Sequence, residues 1–122
     1  MKTARSIALL TGLAFMSVHV FAQANMTSEQ LAKQQTELVK RNINKVTPEE
    51  ENKVLMVEQE FARNLEHART KSGSDTAAIS KRTLYLCDIR DSKIKKILTD
   101  LQYSQYLDME KGWGCKLNCT KQ

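Results

Sequence analysis

"KKILTDLQYSQYL", residues 95–107, decides the fold, because it restates a helix start inside a chain that already reads as helical. Thr99 followed three residues later by Gln102 is a capping box, in which the Thr oxygen takes an amide of the new first turn and the Gln side chain reaches back to the Thr amide. Leu98 before the cap and Tyr103 at the fourth helical position make the matching hydrophobic staple. Either the helix breaks at Thr99 and a short fourth helix folds back along the third, or one straight helix runs on. Absence of Gly and Pro between Ser74 and Lys111 favours the straight form; the full box and the staple favour the break.

The two outcomes differ in what they allow the cysteines to do. At about 1.5 Å per residue, Cys87 lies roughly 18 Å from Thr99, and a returning helix to Glu110 is about as long. A fold-back therefore brings Gly112 and Cys115 to the level of Cys87, and a disulfide from Cys87 to Cys115 or Cys119 becomes possible. A straight helix carries Cys115 some 42 Å away from Cys87. Cys115 then pairs with Cys119, bridges two copies, or stays free.

Further out, the same cap signal recurs. Met26-Thr27-Ser28-Glu29-Gln30-Leu31 has Thr27 as cap, Gln30 as its reciprocal partner and Met26 with Leu31 as staple. Val46-Thr47-Pro48-Glu49-Glu50 is another, with the only Pro of the chain at the first helical position, where its missing N–H costs nothing. Glu49, Glu50 and Glu51 complement the positive end of that helix dipole. Ser74 or Asp75 caps a third segment after Gly73.

Composition agrees, with Leu, Glu, Lys, Gln and Arg dominant and few β-branched runs, so the fold class is all-α. Val54, Val57, Phe61, Leu65 and Ala68 form one apolar stripe; Ile79, Thr83, Leu86, Ile94, Ile97 and Leu101 form the next, interrupted by Arg90. The short link from Lys71 to Ser74 predicts that these two long helices form an antiparallel hairpin. Leu31, Leu38 or Val39, Ile43 and Val46 give the first helix a weaker stripe. Leu55, Met56, Leu84 and Tyr85 lie off the stripes, which predicts a second subunit or a bound chain over them. Beside them, Arg63, Arg69, Lys81 and Arg82 make a mildly basic surface.

Residues 1–24 read as a cleaved export signal: Lys2 and Arg5, then an apolar run from Ile7 to Val20, then Ala22-Gln23-Ala24 as the small-x-small cleavage site. About 15 apolar residues are short of the roughly 20 that span a bilayer. Removing 24 of the 122 residues leaves 98, divided into a helical domain over 25–110 and a Cys-bearing tail over 111–122. Lys2 and Arg5 go with the signal, so 19 basic residues become 17 against 14 acids, about +3. Such a weak, dispersed charge argues against nucleic acid as a partner.

Chemistry-bearing groups are sparse. His67 is the one His left beyond the signal, on a charged helix where a solvated side chain is the usual case. Cys115 and Cys119 add a C-x3-C, short of the four clustered ligands of structural zinc. No Gly-rich turn or nucleophile elbow is present, so the reading is of a non-enzymatic protein with no cofactor. Three cysteines in an exported chain predict one pair and a spare. Trp113 is expected to anchor the tail against the hairpin.

An export signal, an all-α mature chain, and the pairing of Val46-Thr47-Pro48-Glu49-Glu50 with Leu98-Thr99-Asp100-Leu101-Gln102 together resemble the LTXXQ-motif periplasmic proteins, the Spy/CpxP-like family. The second motif matches in full; the first has Val for Leu at 46 and Glu for Gln at 50, although its capping chemistry survives. The resemblance covers roughly residues 27–110. It implies a long helical hairpin with shorter flanking helices, paired into a cradle-shaped homodimer in the periplasm. It also implies an ATP-independent chaperone for unfolded or envelope proteins. The alternatives are an inhibitory partner of a membrane stress sensor, or a metal-responsive protein like the family's zinc-associated branch, whose His-rich composition this chain lacks.

Overall fold

The computed structural model describes residues 26–113; the segment 1–24 expected to be an export signal, Cys115 and Cys119 lie outside the described residues. Among the described residues four α-helices follow one another: α1 (Ser28–Asn42), α2 (Pro48–Ser72), α3 (Thr76–Ile97) and α4 (Asp100–Trp113). Among the described residues there is no strand, and no helix long and apolar enough to cross a membrane. The expected all-α class is what the chain adopts.

Each helix begins where the cap chemistry puts it. Thr27 and Thr47 both make the full reciprocal box, with Gln30 and Glu50 as their partners. Asp75, rather than Ser74, caps α3 by accepting from the Ala78 amide at 3.1 Å. α2 ends at Gly73, whose φ of 58° is a backbone state that glycine adopts without a Cβ penalty.

Of the two possibilities left at Thr99, the break is the one observed. α3 stops at Ile97, and Leu98 turns extended at φ −84°, ψ 155°. The Thr99 amide then donates to Gln102 Oε1 at 2.9 Å, and the Gln102 amide to Thr99 Oγ1 at 3.2 Å. Neither Gly nor Pro is needed, because the box satisfies two of the amides that a new helix start leaves without partners. Leu98 is buried, and Tyr103 packs against the same cluster, completing the staple. Leu101 is the casualty of the straight-helix phase: expected on the α3 stripe, it is 71% exposed. The break resets the helical phase, so a residue four past Ile97 no longer faces the core.

Two apolar clusters hold the molecule. Val39, Ile43, Val54, Ile94, Leu98 and Tyr106 bring all four helical segments together, with Val46, Val57 and Ile97 packed around them. Phe61, Leu65, Leu86 and Cys87 form the second, with Leu31 from α1 against them. Lys93 meets Glu60 at 2.8 Å, and the Arg90 guanidinium sits 4.7 Å from the Phe61 ring centroid. Contact partners thus move backward along α2 as they move forward along α3, so the two run antiparallel. Across the break, Tyr106 reaches Asp91 and Glu110 reaches Arg90. α4 therefore turns back alongside α3.

Candidate functional site

Arg90 falls within the α3 stripe of Thr83, Leu86 and Ile94, and by sequence it merely interrupts it. In the structure it is the centre of a buried charged cluster. Arg90 is 5% exposed, Glu58 2%, Asp91 5% and Tyr106 1%. Arg90 Nε and Nη2 donate to Asp91 Oδ1 at 3.2 and 3.1 Å. Nη2 also donates to Glu110 Oε1 in a short contact, and Nη1 lies 4.0 Å from Glu58 Oε2. The Tyr106 hydroxyl donates between two carboxylates, to Asp91 Oδ1 at 2.8 Å and Glu110 Oε1 at 3.1 Å. Glu58 comes from α2, Arg90 and Asp91 from α3, Tyr106 and Glu110 from α4. The break at Thr99 is what makes this cluster, since it carries Tyr106 and Glu110 back to Arg90.

Three carboxyls share one guanidinium, so full ionisation would leave uncompensated negative charge inside the protein. Protonation relieves it. Burial pushes the Glu58 carboxyl up to about 7, and the charge of Arg90 opposes that only in part. Glu110 is likewise raised to about 7 by burial, with the Asp91 charge adding to the effect. Among the described residues Glu58 Oε2 has no hydrogen-bond partner, consistent with a group that gains little from staying ionised. Burial alone would lower Arg90, but Glu58, Tyr106, Glu110 and Asp91 more than offset it and hold it above its ordinary value. Tyr106 is raised by burial and stays a phenol. The cluster can take up or release protons near neutrality. Among the described residues no group of three or more His, Cys, Asp and Glu could hold a metal ion.

The two motif segments meet directly. Gln102 keeps Oε1 for the Thr99 amide and uses Nε2 to donate to the carbonyls of Asn44 and Lys45 at 3.3 and 3.2 Å. The same Nε2 stands 3.5 Å from Glu50 Oε1, the atom that closes the Thr47 box. Gln105 adds a clamp by accepting from the Asn44 amide at 2.9 Å. These contacts hold the α1–α2 turn, where Lys45 sits at φ 58°, an uncommon state for a residue with a Cβ. The Thr47 amide, donating to Glu50, holds that carboxyl below its usual range. Val46 is half-buried against the core and Leu98 is buried in it.

Met56 and Tyr85 are 68% and 54% exposed, whereas Leu55 and Leu84 are half-buried. Arg63, Arg69, Lys81 and Arg82 are all exposed. Of these, Arg82 and Tyr85 are joined: the guanidinium lies 4.9 Å from the ring centroid. Leu101 and Leu107 on α4 are exposed too, and the stripes did not single them out as such. Glu58, Arg90, Asp91, Tyr106 and Glu110 were equally absent from the sequence-derived candidates. The one available signal was an Arg set inside an apolar stripe. Cys87 is fully buried beside Phe61 and Leu86; Cys115 and Cys119, its expected partners, lie outside the described residues, as does the side chain of Trp113.

No protein-family model matches this chain, and neither a curated protein nor a solved structure matches it.

Proposed function

We propose that this chain is an exported helical binding protein of the LTXXQ, Spy/CpxP-like kind, which holds unfolded or envelope proteins without ATP and without catalysis. The observation that carries the reading is a set of large apolar side chains, Met56, Tyr85, Leu101 and Leu107, left exposed on a helical frame whose own core is filled. Exposed basic residues beside them suit acidic or mixed clients. Mutual contact of the Thr47 and Thr99 motif segments, through Gln102, supports the family likeness. A homodimer built on the α2–α3 hairpin would use Leu55, Met56, Leu84 and Tyr85, each worth about 1.5–3 kcal/mol when fully buried.

Suppression of aggregation tests this. Several unrelated proteins, diluted from denaturant, should scatter less light in the presence of a stoichiometric amount of this chain. Met56→Glu with Tyr85→Glu should abolish most of that effect while leaving the helical signal intact. Failure to protect any client would move the assignment to the second reading, an inhibitory partner of an envelope-stress sensor. That reading draws its own support from a buried cluster that titrates near neutrality, as a condition-sensing protein requires.

A further inference from the structure

Away from the buried cluster, near the turn that joins α2 to α3, the two helices part over a recess of about 420 Å³. Asn64, His67, Ala68, Lys71 and Ser72 line it from α2, and Arg82 from α3. The α2 residues are spaced three and four apart and share one helix face. Ala68 is 6% exposed, and its small side chain is what leaves room between the helices. Every other lining side chain can donate a hydrogen bond, and none is a carboxylate. We propose that this recess is a binding site for an oxyanion of the phosphomonoester class.

Charge and geometry both favour that ligand over a neutral one. Among the described residues, neither Lys71 nor Arg82 has an ion-pair partner, unlike Lys33, Lys40, Lys53 and Lys93, which all meet carboxylates. The Tyr85 ring beneath Arg82 restrains the guanidinium, so less side-chain entropy is lost when it grips an anion. Lys71 alone could be explained as the usual basic residue at a helix C-terminus. Arg82 cannot, since it comes from the neighbouring helix and stands seven residues beyond its cap. The negative end of the α2 dipole amounts to about half a charge, which the two full positive charges outweigh. The recess is larger than a bare phosphate needs and falls in the usual range for small-ligand sites, about 300–1,000 Å³. A phosphate carried on a small organic group therefore suits it better than the bare ion.

Such a phosphate could be free or borne by a lipid, and two arms separate the sources. In the first, the full chain is titrated with glycerol 3-phosphate by calorimetry against sodium chloride at matched ionic strength. In the second, it is sedimented with phosphatidylcholine vesicles, with and without a minority of phosphatidic acid. Saturable binding is expected in at least one arm, and that arm names the source. Arg82→Gln and Lys71→Gln, both at exposed positions, should each weaken it about tenfold, the loss of one charge-assisted hydrogen bond. Arg41→Gln on α1 should leave it within about twofold, because a charge at that distance is screened. No response beyond chloride in either arm overturns the site. So does an equal loss in Arg41→Gln, or no loss in either Arg82→Gln or Lys71→Gln.

Discussion

Gln102 shows what a single side chain decides. A capping box asks only for an acceptor at this position, and Glu serves at position 50. At position 102 the side chain must also donate, because the Asn44 and Lys45 carbonyls and Glu50 face its other end. Only an amide meets both demands. Gln102→Glu should therefore cost about 2–3 kcal/mol, since it places a carboxylate against two carbonyls and another carboxylate in a site 6% exposed. Gln30→Glu, at the exposed cap of α1, should change stability by less than about 0.5 kcal/mol. Urea unfolding of the two variants checks the contrast, and equal effects would mean that Gln102 only caps.

At the scale of the element, the decision lies between Ile97 and Thr99. Leu98 and Leu101 are both leucines on what looks like one helix, yet one is 6% exposed and the other 71%. The break predicts opposite outcomes for them. Leu98→Ala should destabilise by about 2–5 kcal/mol through the cavity it leaves in the cluster of Val39, Val54 and Ile94. Leu101→Lys should be tolerated within about 0.5 kcal/mol, as a surface change usually is. Thermal unfolding of both settles the phase of α4. Loss of stability in Leu101→Lys would restore the straight helix. The fold-back also bears on the cysteines. Cys87 is fully buried, at the level to which α4 returns. Non-reducing peptide mapping should therefore find Cys87 linked to Cys115 or Cys119, and a Cys115–Cys119 link with a free Cys87 thiol would contradict that pairing.

For the whole molecule, the buried cluster ties α2, α3 and α4 into one proton-linked unit. Glu58 and Glu110 both sit at about 7 when folded, above an unfolded value of 4.5. Facing them are Arg90 and Asp91 from α3 and the neutral Tyr106 phenol from α4. The folded chain holds these protons more tightly than the unfolded chain. Their stabilisation is thus complete below about pH 4.5 and is lost as pH rises through about 7. Each pKa unit is worth about 1.4 kcal/mol, which caps the Glu58 share at roughly 3 kcal/mol. Urea midpoints should be higher at pH 5 than at pH 8, and Glu58→Gln should flatten that difference. Arg90→Met should cost about 3–5 kcal/mol at pH 8, where it leaves the carboxylates uncompensated, and less at pH 5. A profile unchanged by Glu58→Gln would place the titration elsewhere.

By itself, the sequence determined the local grammar of this protein. Thr27, Thr47 and Thr99 start helices because the amides they satisfy lie within three residues of them, and Gly73 and Asp75 set the turn for the same short-range reason. Periodicity likewise named Val54, Phe61, Leu65, Leu86 and Ile94 as interior, since an apolar face needs no knowledge of its partner. Only the tertiary structure decided what Arg90 and Gln102 do. Their partners stand 20, 32, 57 and 58 residues away, at Glu110, Glu58, Lys45 and Asn44. Coulombic attraction and amide geometry act across space, and no pattern along the chain says which distant carboxyl or carbonyl the fold will bring within reach.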